Sequence, residues 1–230
     1  MHPAALVDAA VGAGLDGVAV CDHNSAENVA AVQRAARPRG LAVIPGMEIT
    51  TAEEVHVVGL FPDARAAMAA ADEVQATLPE GDDAYRHQFG GQRLLDADGQ
   101  VVGTENKMLA VSSTLDLSAA VNLIHRHRGL AVAAHVNRPS FSVLSQLGLF
   151  PPDAGFDALE VFTPCDASGR SAAPAADPYR SWGLPILASS DSHFLGDIGR
   201  CHSVFTMAAP TFDELALALR GVGGRGVRGA

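Results

Sequence analysis

Four short apolar runs in this chain each lead into a side chain that can bind a metal. Val18-Ala19-Val20 leads to Asp22 and His23, and Leu41 to Ile44 leads to Glu48. Leu130 to Ala134 leads to His135, and Ile186 to Ala188 leads to Asp191 and His193. The runs are continuous rather than alternating, which is how strands covered on both faces read. They alternate with helical segments, and that pattern belongs to parallel α/β structure. A barrel and an open sheet both satisfy it. Polar residues gathered at the carboxyl ends of several parallel strands are the barrel-enzyme arrangement. His56 is the exception, because it lies at the start of its run, Val55-His56-Val57.

The remaining segments follow from caps and breakers. Pro3 suits a first helical turn and Gly14 a stop. Ser25 is read as the cap of a helix running through Arg37, ended by Pro38-Arg39-Gly40. Pro45-Gly46 is expected to break the second strand, Val55 to Phe61 to form a third, and Asp63 to cap a helix over Ala64 to Thr77. A helix is expected over Ser113 to Arg128, strands over Phe156 to Phe162 and Ser203 to Met207, and a last helix over Phe212 to Arg220. Residues 79–112 are polar and Gly-rich and read as a lid or excursion within one domain spanning 1–220. Residues 163–178 read as a Pro/Ala/Ser loop that, with the excursion, would shape a pocket. Residues 221–230 read as a disordered tail.

Composition narrows the function classes. The chain has 230 residues, 48% of them hydrophobic and 18% charged, which supports a large core and excludes global disorder. A net charge of −10 argues against a domain built to grip nucleic acid nonspecifically. Phosphates can still be held locally, through metals or a few arginines. Cys21, Cys165 and Cys201 are odd in number and scattered, so they form no disulfide framework and fit a reducing cytosol. No secretory signal or membrane-length apolar stretch is visible, so a cytoplasmic protein without a membrane partner is expected.

Imidazole and carboxylate together suit Zn, Mn or Fe. One glutamate can bridge two cations a few ångströms apart, and two cations can hold both the attacking and the leaving oxygen of a phosphoester displacement. Taken singly, each residue has a plainer explanation. A histidine after a strand is commonly a loop hydrogen-bonder, Glu48 could cap a helix, and Asp191-Ser192-His193 could be a turn. Five strand-associated segments together favour a metal site. His125 and His127 do not share a helix face and are expected to complement a helix dipole. His2, His87 and His202 are read as surface residues. The cysteines are read as small buried groups, with Cys165 in a loop near the site.

The segments "GLDGVAVCDHNS", "VIPGMEITTAEEVHVVGLF", "GLAVAAHVNRPSF" and "ILASSDSHFLGDIG" together resemble the PHP domain, the polymerase and histidinol phosphatase family. The resemblance covers nearly the whole chain. It implies a distorted (β/α)7 TIM-like barrel with two or three divalent metals. It also implies hydrolysis of a small phosphorylated metabolite or nucleotide by metal-bound hydroxide. Residue by residue, Glu48 looks like the bridging carboxylate, and His56 and His135 like the imidazoles that complete one metal site with it. Asp191 looks like a ligand of a second metal, and His23 and His193 like ligands of a third. Asp22 looks like an orienter of His23, and Arg138 is placed to hold a substrate phosphate.

The family begins with a strand carrying His-x-His, with a further His or Cys a little later. No such motif lies near His2, which stands alone at a helix start. The resemblance therefore implies that the first strand and three ligands are missing from this sequence. Only the Glu48–His56–His135 site would be complete. Either the native chain begins upstream of Met1, or the chain is an inactive metal-binding or regulatory relative. An amidohydrolase-type metal hydrolase is the further alternative.

Overall fold

The computed structural model describes residues 1–162 and 177–228. Its strands are β1 (Gly17–Val20), β2 (Ala42–Thr50), β3 (His56–Leu60), β4 (Arg93–Leu95), β5 (Val101–Thr104), β6 (Leu130–Ala133), β7 (Ala158–Phe162), β8 (Ile186–Ser189), β9 (Val204–Thr206) and β10 (Gly226–Arg228). Its helices are α1 (Pro3–Gly12), α2 (Val29–Ala36), α3 (Ala64–Gln75), α4 (Asp83–Phe89), α5 (Leu117–Arg126), α6 (Val143–Leu147), α7 (Asp177–Arg180) and α8 (Phe212–Leu219). No described helix is long and apolar enough to cross a membrane.

Six strands form one curled sheet in the order β1-β2-β3-β6-β7-β8. β1 is parallel to β2, and β6, β7 and β8 run parallel in series. β3 is antiparallel to both of its neighbours. That reversal follows from the short connection Thr51–Val55, which can only return a hairpin, because a parallel crossover needs a dozen or more residues. Thr51 closes the turn: its N–H donates to the Val55 carbonyl at 2.9 Å, and its Oγ1 accepts the Val55 N–H at 3.2 Å. Five strands therefore bring their carboxyl ends to one edge of the sheet. β3 brings its amino end to the same edge.

One face of the sheet buries Met47, Ile49, Val57, Ala131, Ala133, Leu159 and Val161 against apolar stripes of α1, α2, α3 and α5. The other face buries Leu60, Leu130, Val132 and Ala158 against Leu215, Ala216 and Leu219 of α8, with Val227 of β10 alongside. Two-sided burial explains why the strands read as continuous apolar runs. The expected distorted (β/α)7 barrel, lacking its first strand, is met in part, as a mixed α/β fold. The sheet is a half-barrel, and a helix rather than further strand occupies its second face.

Caps account for most helix starts. Asp63 accepts the Ala66 N–H at 2.8 Å, as expected from sequence. Asp116 caps α5, so that helix starts at Leu117 and not at Ser113. Ser25 does not cap α2, which begins four residues later at Val29; its hydroxyl instead donates to Glu27. β2 also runs through Pro45-Gly46 without a break. A side chain at Gly46 would meet the Cys21 sulfur at 2.4 Å, so glycine there lets β1 and β2 approach.

The excursion carries α4 and the β4–β5 hairpin, organised around two side chains. The Gln92 amide donates to the carbonyls of Glu105 at 3.1 Å and Lys107 at 2.5 Å. Its oxygen accepts from the Tyr85 hydroxyl and the Leu109 N–H, and the same hydroxyl accepts the Ala110 N–H at 2.9 Å. Residues 221–228, expected as part of a disordered tail, carry a 3-10 turn and a strand. β10 pairs antiparallel with β9, and Arg225 grips both carboxylate oxygens of Glu214 at 2.7 and 2.8 Å.

Candidate metal centre

Glu48 lies on the longest strand, at the edge where the strand ends converge. Its N–H donates to the Asp22 carbonyl at 3.0 Å, and its own carbonyl accepts the Asn24 N–H at 2.8 Å. That pairing carries His23 alongside Glu48 beyond the end of β1. In the hairpin Thr50 pairs with His56 and Glu48 with Val58, so His56 shares the face of Glu48 one step further along. The Ala134 N–H donates to the His56 carbonyl at 3.3 Å, which delivers the next residue, His135, to the same place. His135 holds φ at +28° and Asp191 at +41°. Non-glycine residues in that region cost on the order of 1–3 kcal/mol and cluster at functional sites.

The side chains converge closely. Glu48 Oε1 lies 3.3 Å from His56 Nδ1 and 3.5 Å from His135 Nε2. Those two nitrogens are themselves 3.3 Å apart, so the three atoms form a nearly equilateral triangle. Glu48 Oε2 faces the other way, 2.9 Å from His23 Nδ1. The donor atoms of His23, Glu48 and His56 all lie within 4.8 Å of one another. Two ligands about 2.1 Å from a tetrahedral cation sit about 3.4 Å apart. One carboxylate oxygen and two imidazole nitrogens at these spacings fit a divalent cation.

Electrostatics reinforce the fit. Burial works to raise the Glu48 pKa, but His135, His23 and His56, in that order, overcome it and hold the carboxyl well below the usual range. The hydrogen bond to Glu48 raises the His23 imidazole, with burial opposing. His135 is 2% exposed, and its Nδ1 has no hydrogen-bond partner among the described residues. A buried polar cluster of this kind is costly unless it is fully satisfied.

The second half of the expected site is arranged differently. Asp191 Oδ2 lies 2.5 Å from Arg138 Nη1, and the Arg138 guanidinium sits 4.0 Å above the Phe162 ring. The His193 side chain is 57% exposed, with Nδ1 at 3.0 Å from the Asp191 carbonyl. Its ring lies 6.0 Å from that of His23. The Asp22 carboxylate accepts from Asn28 at 3.4 Å. The structure thus gathers His23, Glu48, His56 and His135 tightly, and places Asp191, His193 and Arg138 as a neighbouring group. His125 and His127 pair with Asp157 and Glu73, and Cys165 lies outside the described residues.

Three residues not singled out in the sequence belong to the site. Asn24 is wholly buried, with φ at +49°. Phe141 stacks on the His56 ring at 4.8 Å and accepts the His56 N–H on its carbonyl. Glu160, on β7, accepts from the Ser189 hydroxyl at 2.6 Å. Its sequence signal was a lone charge inside an apolar run, Ala-Leu-Glu-Val-Phe. Burial raises its pKa to about 7, with Ser189 and His135 opposing and Glu48 and Asp191 adding to the rise.

A raised carboxyl binds more protons in the folded chain than in the unfolded one between its two pKa values. Its contribution to stability is therefore lost as pH climbs from about 4.5 to about 7. In chelator-treated protein, Glu160→Gln should remove most of that loss, on the order of 3 kcal/mol at full ionisation. Thermal melts at the two ends of the window check this. A variant whose stability falls with pH as steeply as the wild type refutes it.

Comparison with known proteins agrees with this architecture. Residues 170–221 match the family described as PHP-associated. The uncharacterized protein YqxK of Bacillus subtilis is 34% identical over 40% of this chain and 24% of its own length. The lesion-specific endonuclease Q of Pyrococcus furiosus shares the fold over 97% of this chain and 52% of its own, at 19% identity and a TM-score of 0.65. A protein of Bifidobacterium adolescentis ascribed to the metal-dependent phosphoesterases covers 84% of this chain and 83% of its own, at 20% identity and a TM-score of 0.56. The chain thus spans about a quarter of the Bacillus protein and about half of the endonuclease. A PHP-associated C-terminal match and this shared fold together support a relationship to the PHP-domain family.

Proposed function

We propose that this chain is a metal-dependent phosphoesterase unit, cytoplasmic, acting on a small phosphorylated metabolite or nucleotide. The observation that carries the reading is the division of the Glu48 carboxylate, with one oxygen toward His56 and His135 and the other toward His23. Glu48, His56 and His135 would hold one divalent cation, and Glu48 with His23 would contribute to another. Bound cations supply Lewis acidity and lower the pKa of water at the site. Arg138 would leave Asp191 to hold phosphate oxygens through its planar fork. Phe162 beneath it keeps the guanidinium oriented for that exchange. Asp22 would act through its carbonyl, which receives the Glu48 N–H and so fixes His23 beside Glu48.

A second reading takes nucleic acid as the substrate, against the expectation drawn from net charge. Two observations favour it. The endonuclease Q fold extends over 97% of this chain, and two aromatic rings are exposed at the rim. Phe141, stacked on His56, is 41% exposed, and Phe194, next to His193, is 73% exposed. Exposed rings beside a phosphate-handling site are how single strands are commonly held.

Both readings are tested with protein loaded with Mn or Zn and then dialysed. Elemental analysis should find one or more ions per chain. Phosphomonoesters, phosphodiesters and single-stranded DNA then serve as substrates, and turnover should be lost on chelation. Hydrolysis of cyclic amides but not phosphoesters would reassign the chain to amidohydrolase chemistry. Metal-loaded protein inert toward the whole panel would leave a metal-binding module.

A further inference from the structure

Asn24 ties the metal cluster to the excursion. Its side-chain oxygen accepts the Thr50 N–H at 3.0 Å, two residues beyond Glu48 on β2. Its side-chain nitrogen donates to the carbonyls of Leu109 at 2.9 Å and Val111 at 3.0 Å, at the end of the excursion. Its own N–H donates to the Glu48 carbonyl at 2.8 Å. Both hydrogens and the oxygen of the amide are therefore engaged. A wholly buried amide so satisfied holds one geometry.

The far end of this chain of bonds is also fixed. The backbone of 105–110, leading into Leu109 and Val111, is laced by Gln92 and Tyr85 through the bonds already described. Asn28 adds a second tie: its oxygen accepts the Leu95 N–H at 3.0 Å, and its nitrogen lies 3.4 Å from the Asp22 carboxylate. Ser113 adds a third, donating from N–H and hydroxyl to the Thr50 carbonyl, each at 2.8 Å.

We infer that Asn24 is a positioning residue through which the docked excursion 79–111 sets the spacing of His23 and Glu48, and hence metal affinity. On this account the excursion is a fixed wall of the site. Its internal order, set by Gln92, reaches the cluster through carbonyls 109 and 111 and the Asn24 amide. The inference rests on the metal-site reading and adds a determinant that touches no ligand. Among the described residues, the side-chain hydrogen bonds of Gln92 all fall within the excursion.

The test is a double-mutant cycle read as metal affinity. Asn24→Asp keeps the acceptor for Thr50 but removes both donors to the excursion. Gln92→Leu loosens the excursion at a distance. Each should raise the Mn²⁺ dissociation constant by about 10-fold, the lower end of what losing a group that orients metal ligands costs. The double variant should be no weaker than the worse single one, because both changes break one chain of bonds. The visible spectrum of the Co²⁺ form should shift in the same direction in both variants, and hydrogen exchange of residues 105–111 should speed up in both. Faster exchange in Gln92→Leu with Mn²⁺ affinity and the Co²⁺ spectrum unchanged overturns the inference, as do additive losses. Should Asn24→Asp fail to fold, Gln92→Leu alone decides by the same readouts. Wild-type protein that binds no Mn²⁺ or Co²⁺ instead sinks the metal-site reading, and this inference with it.

Discussion

Glu48→Gln is expected to lower metal affinity by at least about 100-fold and to abolish hydrolysis, with little change in volume. Losing a group that merely orients ligands costs 10- to 100-fold. Glu48 is in direct contact with three imidazoles, so its loss should cost more. The substitution removes the anion that His23, His56 and His135 share and replaces one acceptor oxygen with a donor NH₂. That donor would face nitrogens a cation needs as lone pairs. Elemental analysis after dialysis and calorimetric titration with Mn or Zn measure the effect. A variant that keeps wild-type stoichiometry and affinity would show that the metal lies elsewhere.

The same variant has a stability signature in the absence of metal. The Glu48 carboxyl is held below its usual range, so its contribution is present above about pH 4.5 and is lost as pH falls through the lower, folded value. Chelated wild type should therefore destabilise in acid, whereas Glu48→Gln should be flatter there. His23, raised by the same contact, carries the opposite sign. Its contribution is lost as pH rises past about 6.5 toward the folded value.

The second large effect is on the fold. Phe61 heads the fully buried side chains, at 0% exposure, and follows directly on β3. Its N–H donates to the Pro45 carbonyl at 2.8 Å, and its ring lies 3.0 Å from where a side chain at Gly59 would begin. Phe61→Ala should cost about 3–5 kcal/mol through lost transfer energy and a residual cavity. That is a large share of the roughly 5–15 kcal/mol available to a domain. At about 2–4 °C per kcal/mol, the midpoint should fall by roughly 6–20 °C. β3 also carries His56, so added metal should recover part of the loss by binding only the folded chain. A loss under about 1 kcal/mol in urea titrations would mean that the core closes over the vacancy.

Much of this was legible in the chain itself. The apolar runs gave the six sheet strands, because burial on both faces leaves a local signature. Three members of the cluster, His23, Glu48 and His135, stand just beyond those runs, and His56 stands at the start of one. Asp63 was identifiable as a cap because a cap and the N–H that donates to it lie three residues apart. The misreadings have a common cause. Pro45-Gly46 reads as a break, yet glycine is there to admit Cys21 from the neighbouring strand. The glycine-rich tail reads as disorder, yet the Arg225–Glu214 pair and Val227 hold it against α8. Asn24 carries no local signal, because its side-chain nitrogen's partners lie 85 and 87 residues away.

The sequence alone determined which side chains could form a metal site and which strand ends would carry them, since both depend on residues a few positions apart. Tertiary structure decided three further matters. It reversed β3, which brings His56 from the start of its strand to the edge where the other ligands end. It left the sheet a half-barrel with α8 on its second face. It placed Arg138 on Asp191 and the excursion on Asn24. Each of these depends on contacts between residues far apart in the chain, whose loop-closure cost and packing gain no local window of sequence contains.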